Sequence, residues 1–228
     1  MKHLSNFGDA RTLMYCAFCG GTTGTRDHCP SKIFLDTPLP ENLPVVPACA
    51  ECNNGFSVDE EYLACFLSSV LAGSTEPEAQ GREKTRRILS VKSALRERIE
   101  RSKRETEGGT RFIPEYDRAR NVLIKLAQGH ALYELHESCS TEPDYVMIVP
   151  FPMMSDTERA EFEQPVVASV WPEVGSRAMQ RLVQGTDLSQ NGWIVVQEGR
   201  YRYSATINEG RDVRIVIDEY LAAQIYYA

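Results

Sequence analysis

Between Cys16 and Asn53 the chain gathers residues of two different chemistries. Two Cys-x-x-Cys knuckles, Cys16-Ala-Phe-Cys19 and Cys49-Ala-Glu-Cys52, enclose Arg26-Asp27-His28-Cys29-Pro30 and Glu41-Asn42-Leu43, and Asn53 follows directly. Four thiolates in paired knuckles are the soft tetrahedral set that Zn2+ prefers in closed structural sites. The 29-residue excursion between Cys19 and Cys49 is poor in apolar residues, so a bound metal would supply folding free energy that a core does not. A structural zinc on Cys16, Cys19, Cys49 and Cys52 is the expectation.

The same excursion carries the groups that phosphodiester hydrolysis needs. An imidazole with an unperturbed pKa of ~6.5 can take a proton from water near neutral pH, which suits His28 to act as a general base. Asp27 and Asn53 offer hard oxygens, the donor type that Mg2+ or Mn2+ favours, and such an ion neutralises a scissile phosphate and its departing oxygen. Taken singly these residues are ordinary. A lone His is usually a surface or satisfied core residue, and an Asn before Asn54-Gly55 is usually a turn residue. The signal lies in their combination.

The order Cys-x-x-Cys, Asp-His-x-Pro, Asn-Leu, Cys-x-x-Cys-Asn resembles the HNH endonucleases, or ββα-metal nucleases, in their zinc-bearing treble-clef form. The resemblance implies that His28 is the general base, that Asp27 and Asn53 bind the catalytic ion, and that Asn42 steadies the hairpin and the base. An Asn replaces the final His of the family name, and Asn54-Gly55-Phe56 stands where many members carry a basic residue. The motif covers roughly residues 14–72. Residues 112–228, through Leu123-Ile-Lys-Leu-Ala-Gln-Gly129 and Arg200-Tyr-Arg-Tyr203, are similar to the C-terminal parts of small bacterial HNH proteins. Nucleic acid, DNA first, is then the implied substrate. Some HNH subunits of this size work beside an ATPase in anti-phage systems, so the resemblance extends to a defence role with an ATPase or sensor partner. The alternative is a catalytically inactive, zinc-stabilised module that binds nucleic acid or protein.

The surrounding chain has 228 residues, 42% hydrophobic and 25% charged, an ordinary globular balance that excludes wholesale disorder. Its longest nearly apolar run, Tyr62–Ala72, is too short to cross a bilayer, and no basic head precedes an apolar stretch at the start; a cytoplasmic protein without membrane contact is expected. Seven cysteines, four of them in knuckles, favour ligation over disulfides and leave Cys29, Cys65 and Cys139 over. The net charge of −7 disfavours a uniform polyanion-binding surface, yet residues 81–120 hold 13 Lys+Arg against 7 Asp+Glu. Any footprint for a polyanion is therefore local.

Periodicity supplies the positioning elements. A helix from Asp59 stops at Gly73, and Ser74–Gly81 reads as a linker. A basic helix spans Arg82–Glu105, with Ile88, Val91, Leu95 and Ile99 on one stripe and Arg87, Arg98 and Arg101 off it; Gly108-Gly109 ends it. Those arginines are candidate phosphate contacts, weighed against a solvated face or a site for an acidic protein. A further helix after Pro114 runs to Tyr133 with an interruption at Gly129. Tyr145–Pro150 reads as a strand, Ser155-x-x-Glu158 as a capping box, and Trp193–Glu198, Tyr201–Ile207 and Val213–Asp218 as an antiparallel meander. The fold class is α+β in three segments: a zinc-bound treble-clef ββα-metal domain over 1–74, a linker and basic helix over 75–110, and over 111–228 an α+β domain with two or more helices and an antiparallel sheet.

Overall fold

The structure, a computed structural model, describes residues 10–107, 109–164, 166–184 and 192–228. In chain order the first elements are β1 (Thr25–His28), β2 (Val45–Ala48), α1 (Ala50–Gly55), α2 (Ser57–Ala72), α3 (Glu83–Val91), α4 (Ser93–Glu100), β3 (Lys103–Thr106) and β4 (Gly109–Phe112). Then come α5 (Tyr116–His130), β5 (Tyr145–Pro150), α6 (Asp156–Glu163), α7 (Arg177–Gln184), β6 (Ile194–Gln197), β7 (Tyr201–Ile207), β8 (Arg211–Ile217) and β9 (Leu221–Tyr227). The fold is mixed α+β with antiparallel sheets. Two compact units emerge: Met1–Gly55 together with Leu123–Ala228, and Phe56–Val122. The boundary expected near residue 74 falls inside the second unit. The cysteine-rich segment shares its unit with the C-terminal sheet.

That sheet runs β5-β9-β8-β7-β6, antiparallel throughout. β6, β7 and β8 match the expected meander. β9 does not follow from the sequence pattern, because Leu221-Ala-Ala-Gln lacks the β-branched residues that mark strands. It is nonetheless a central strand, with Leu221, Ala222, Ala223, Ile225 and Tyr227 buried. Both sheet faces are covered. Phe151, Phe162 of α6, Trp193, Val216 and Ala222 form one cluster, joined by Met147 and Met154. Ser155 caps α6 as the pattern predicts: its hydroxyl accepts from the Glu158 N–H at 3.2 Å, and Glu158 Oε2 accepts from the Ser155 N–H at 2.7 Å.

α5 is not interrupted at Gly129; it runs to His130 and continues as a π-helical turn over Ala131–Leu135. The glycine serves a close approach instead. A Cβ at Gly129 would lie 2.6 Å from Cys29 Sγ and 3.1 Å from Cys29 Cβ. Cys29 in turn donates its S–H to the Leu126 carbonyl at 3.2 Å.

In the second unit, α2 buries Tyr62 to Ser69 and ends at Gly73, whose φ of 64° needs no Cβ. The Ser74 N–H closes on Ser69 O at 3.1 Å. Ser74–Gly81 is a packed connection, contrary to the linker reading. Gln80, 1% exposed, accepts from the Ser68 hydroxyl at 2.8 Å and donates to Ser74 O and Glu76 O. The single helix expected over Arg82–Glu105 is two helices and a strand. Lys92, at φ −101° and ψ 75°, leaves the helical region and resets the phase. Leu89 and Ile99 are consequently buried, while Val91 of the expected stripe is 77% exposed. Gly108 lies outside the described residues, and Gly109 opens β4, which returns antiparallel to β3.

Candidate metal centre and candidate active site

The first knuckle is shaped by backbone bonds around Cys16: its N–H donates to Gly21 O at 2.7 Å, and the Gly20 N–H donates to Cys16 O at 2.9 Å. Gly20 takes a φ of 69° there, the conformation a glycine permits. The second knuckle enters α1, and the Cys52 N–H donates to Cys49 Sγ at 3.3 Å. The sulfurs of Cys16, Cys19, Cys49 and Cys52 lie within 4.8 Å of one another, close enough to hold one metal ion. Cys19 and Cys49 sulfurs are 3.9 Å apart. A tetrahedron with metal–sulfur bonds of about 2.3 Å has edges of about 3.8 Å, so the spacing fits such an ion. The thiols also compete for charge. Burial opposes ionisation of Cys16, but amide hydrogen bonds from Cys49, Cys19 and Phe18 bring it down to about 7. Cys52 is pushed up, first by burial and then by the neighbouring thiols. Four thiolates in this space need a cation.

β1 and β2 pair from Thr25↔Ala48 to His28↔Val45, and α1 follows, giving the element order ββα. Asn53 fastens the helix to the first strand: its Nδ2 donates to Thr25 Oγ1 at 3.2 Å and to Arg26 O at 3.3 Å. Thr25 Oγ1 itself donates to Ala48 O at 2.9 Å. The amide nitrogen of Asn53 is thus committed to β1. Asn42 sits in the turn leading to β2, three residues before Val45, the partner of His28.

Strand alternation sends Asp27 and His28 to opposite faces. Asp27 meets Lys125 of α5, Nζ to Oδ2 2.7 Å, and Lys125 also donates to Ser31 Oγ at 3.0 Å. Lys125 is 1% exposed, and its ammonium lies 5.4 Å from the centre of the Phe18 ring. His28 is half-buried, and its Nδ1 is buried without a hydrogen-bond partner. Burial lowers its pKa first and Lys32 lowers it further, with Asp27 opposing, which favours the neutral imidazole. The sequence pattern does not single out Lys125. Its signal was a lysine within the apolar stretch Val122-Leu123-Ile124-Lys125-Leu126-Ala127.

The three arginines singled out in the sequence stand differently. Arg98 is ion-paired with Glu115, Nη2 to Oε2 2.7 Å, and so offers little to a phosphate. Arg101 is exposed and donates to Glu97 O at 3.3 Å. Arg87 is exposed on α3.

A second polar cluster lies under the sheet, around the π-helical turn. His130 stacks on Tyr203 with centroids 3.6 Å apart, and its Nε2 is 2.8 Å from Tyr201 Oη. Tyr203 donates to Glu134 Oε1 at 2.6 Å, and Arg181 of α7 grips both oxygens of Glu134 at 3.0 and 3.1 Å. His130 and Tyr203 are fully buried and Glu134 nearly so, as befits a structural network. Among the described residues no helix is long and apolar enough to cross a membrane. No protein-family model, curated protein or solved structure matches the chain.

Proposed function

We propose that this chain is a metal-dependent endonuclease of the HNH type, hydrolysing phosphodiester bonds in nucleic acid, with DNA the expected substrate. The observation that carries the reading is Asn53, which leaves the four-cysteine centre and binds the strand bearing Asp27 and His28. Zn2+ in the cysteine centre fixes α1 and hence Asn53. That centre is closed and takes no part in bond cleavage. Asp27, through the oxygen not facing Lys125, and Asn53, through its amide oxygen, form the hard donor set for Mg2+ or Mn2+. Such an ion supplies neutralisation of the phosphate and of the departing oxygen. His28, half-buried and with its pKa lowered by burial, takes the proton of the attacking water. Asn42 steadies the turn that feeds the strand opposite His28. A place in phage defence beside an ATPase or sensor belongs to the same proposal.

One observation favours the inactive-module reading. The Asp27–Lys125 pair already neutralises the carboxylate that would bind the ion. The experiment that decides is nicking of supercoiled plasmid by the purified chain with Mg2+ or Mn2+, alongside His28→Ala and Asp27→Ala. His28→Ala should slow cleavage by roughly 100- to 10,000-fold, the usual loss with a general base, with divalent-ion affinity retained. Asp27→Ala should recover part of its activity at high Mg2+, which an absent imidazole cannot. Cleavage by all three proteins alike, or by none, would leave the zinc-stabilised binding module as the function.

A further inference from the structure

The β3–β4 hairpin places Arg104 directly opposite Arg111. Alternation puts Lys103, Glu105, Thr110 and Phe112 on the other face, where Phe112 packs edge-on against Phe66 with centroids 6.3 Å apart and Lys103 lies 3.6 Å from Glu105. The outer face carries Arg104 and Arg111 with Thr106 and Gly109. Like charges directly opposed destabilise a strand pair, and a two-stranded ribbon is marginal by itself. Among the described residues no carboxylate relieves this pair. Arg104 donates to the carbonyls of Arg101 and Lys103 at 2.7 Å each, and Arg111 is exposed. Arg101, also exposed, stands at the foot of the hairpin. Three other basic groups of the second unit are spent on acids: Lys92 on Glu61, Arg98 on Glu115, Arg118 on Asp59.

We infer that the outer face of this hairpin is a contact surface for nucleic-acid phosphates, with Arg104 and Arg111 as a paired contact and Arg101 beside them. Guanidinium forks bind phosphate oxygens bidentately, and a shared phosphate backbone offsets the repulsion that the pair otherwise carries. The face has no ring on which a base could stack, so it positions a backbone and reads no sequence. With a net charge of −7 over the chain, a polyanion is drawn to such a patch and repelled elsewhere. The inference shares its nucleic-acid partner with the proposed function, but binding alone tests it.

The test is fluorescence anisotropy of a labelled DNA duplex, without divalent ions and in a His28→Ala background, across a range of salt. Arg104→Ala with Arg111→Ala should lower the log–log salt slope by about 1.8, two contacts at ~0.9 each, so that the affinity loss is about tenfold larger near 50 mM than near 200 mM salt. Arg104→Lys with Arg111→Lys should keep the slope. Arg86→Ala with Arg159→Ala, which removes the same charge at two exposed positions elsewhere, should leave it near the parent value. A parental slope in the alanine pair, or an equal loss in the control, would overturn the inference. So would binding of the parent to phosphatidylserine vesicles but not to the duplex. If the parent binds through the hairpin yet never cleaves, the nuclease reading fails and this one stands.

Discussion

The cysteine-rich segment over residues 15–55 and the five-stranded sheet belong to one compact unit but are held by different forces. The sheet rests on burial: Val213, Ile215, Val216, Ile217, Ala222, Ala223 and Ile225 are all at 0% exposure. The segment has a thinner core, chiefly Phe34, Leu35, Val46 and Ala48, and is tied by directed bonds. Four thiols converge at one end, Asp27 pairs with Lys125, and the loop after Phe34 docks through Asp36 to Gln197 and Arg200. Burial is distributed and tolerates single losses. Directed bonds are few, so each one matters more.

The largest expected effect therefore comes from the metal. Chelation or Cys49→Ser should remove on the order of 10 kcal/mol of binding-coupled folding energy from the segment. Hydrogen exchange should show protection lost over residues 15–55 and kept in β7–β9. Equal loss in both regions would erase the contrast, and elemental analysis with far less than one zinc per chain would remove its basis.

Next is the buried ion pair. Lys125→Met should cost about 3–5 kcal/mol in urea unfolding, because Asp27 keeps a charge with no partner. Asp27→Asn with Lys125→Met should recover much of that. An additive double variant would show that the pair does not couple. Gly129→Ala should cost about 1–3 kcal/mol by driving Cys29 from its place, and Cys29→Ala in the same chain should relieve it.

The smallest effect belongs to His130, the last residue of α5, packed on Tyr203 of the sheet. Burial lowers the pKa of His130 well below its ordinary value, so the folded chain keeps the imidazole neutral while the unfolded chain protonates near 6.5. The stabilisation is complete above about pH 6.5 and is lost as pH falls toward the folded value, by up to about 1.4 kcal/mol per pH unit. Urea unfolding at pH 7.5 and 5.5 should show this slope in the parent and a flatter one in His130→Gln.

What the sequence made legible were features written in local spacing: the four-cysteine set, the capping box, the glycine stop at Gly73 and the meander strands. What it hid depended on tertiary partners. Ala222 and Ala223 make a strand because neighbouring strands cover them, not through their own propensity. The break at Lys92 could not be seen in a stripe that remained apolar through Leu95 and Ile99. Lys125 is buried because Asp27 and Ser31, nearly a hundred residues earlier, receive its ammonium. In the candidate site the pattern gave the residue types, while the commitment of the Asn53 amide to β1 and of Asp27 to a lysine required coordinates.

The discontinuity of the first unit sets an order of events during synthesis. Asp36 waits for Arg200, 164 residues downstream, an interval of roughly 8 to 33 s at ~5–20 residues per second. The thiols wait for nothing comparable, since Cys16 and Cys52 leave the ribosome close together. An ion captured at that stage would hold β1, β2 and α1 as a preformed template, and the late strands would close onto a shape already set.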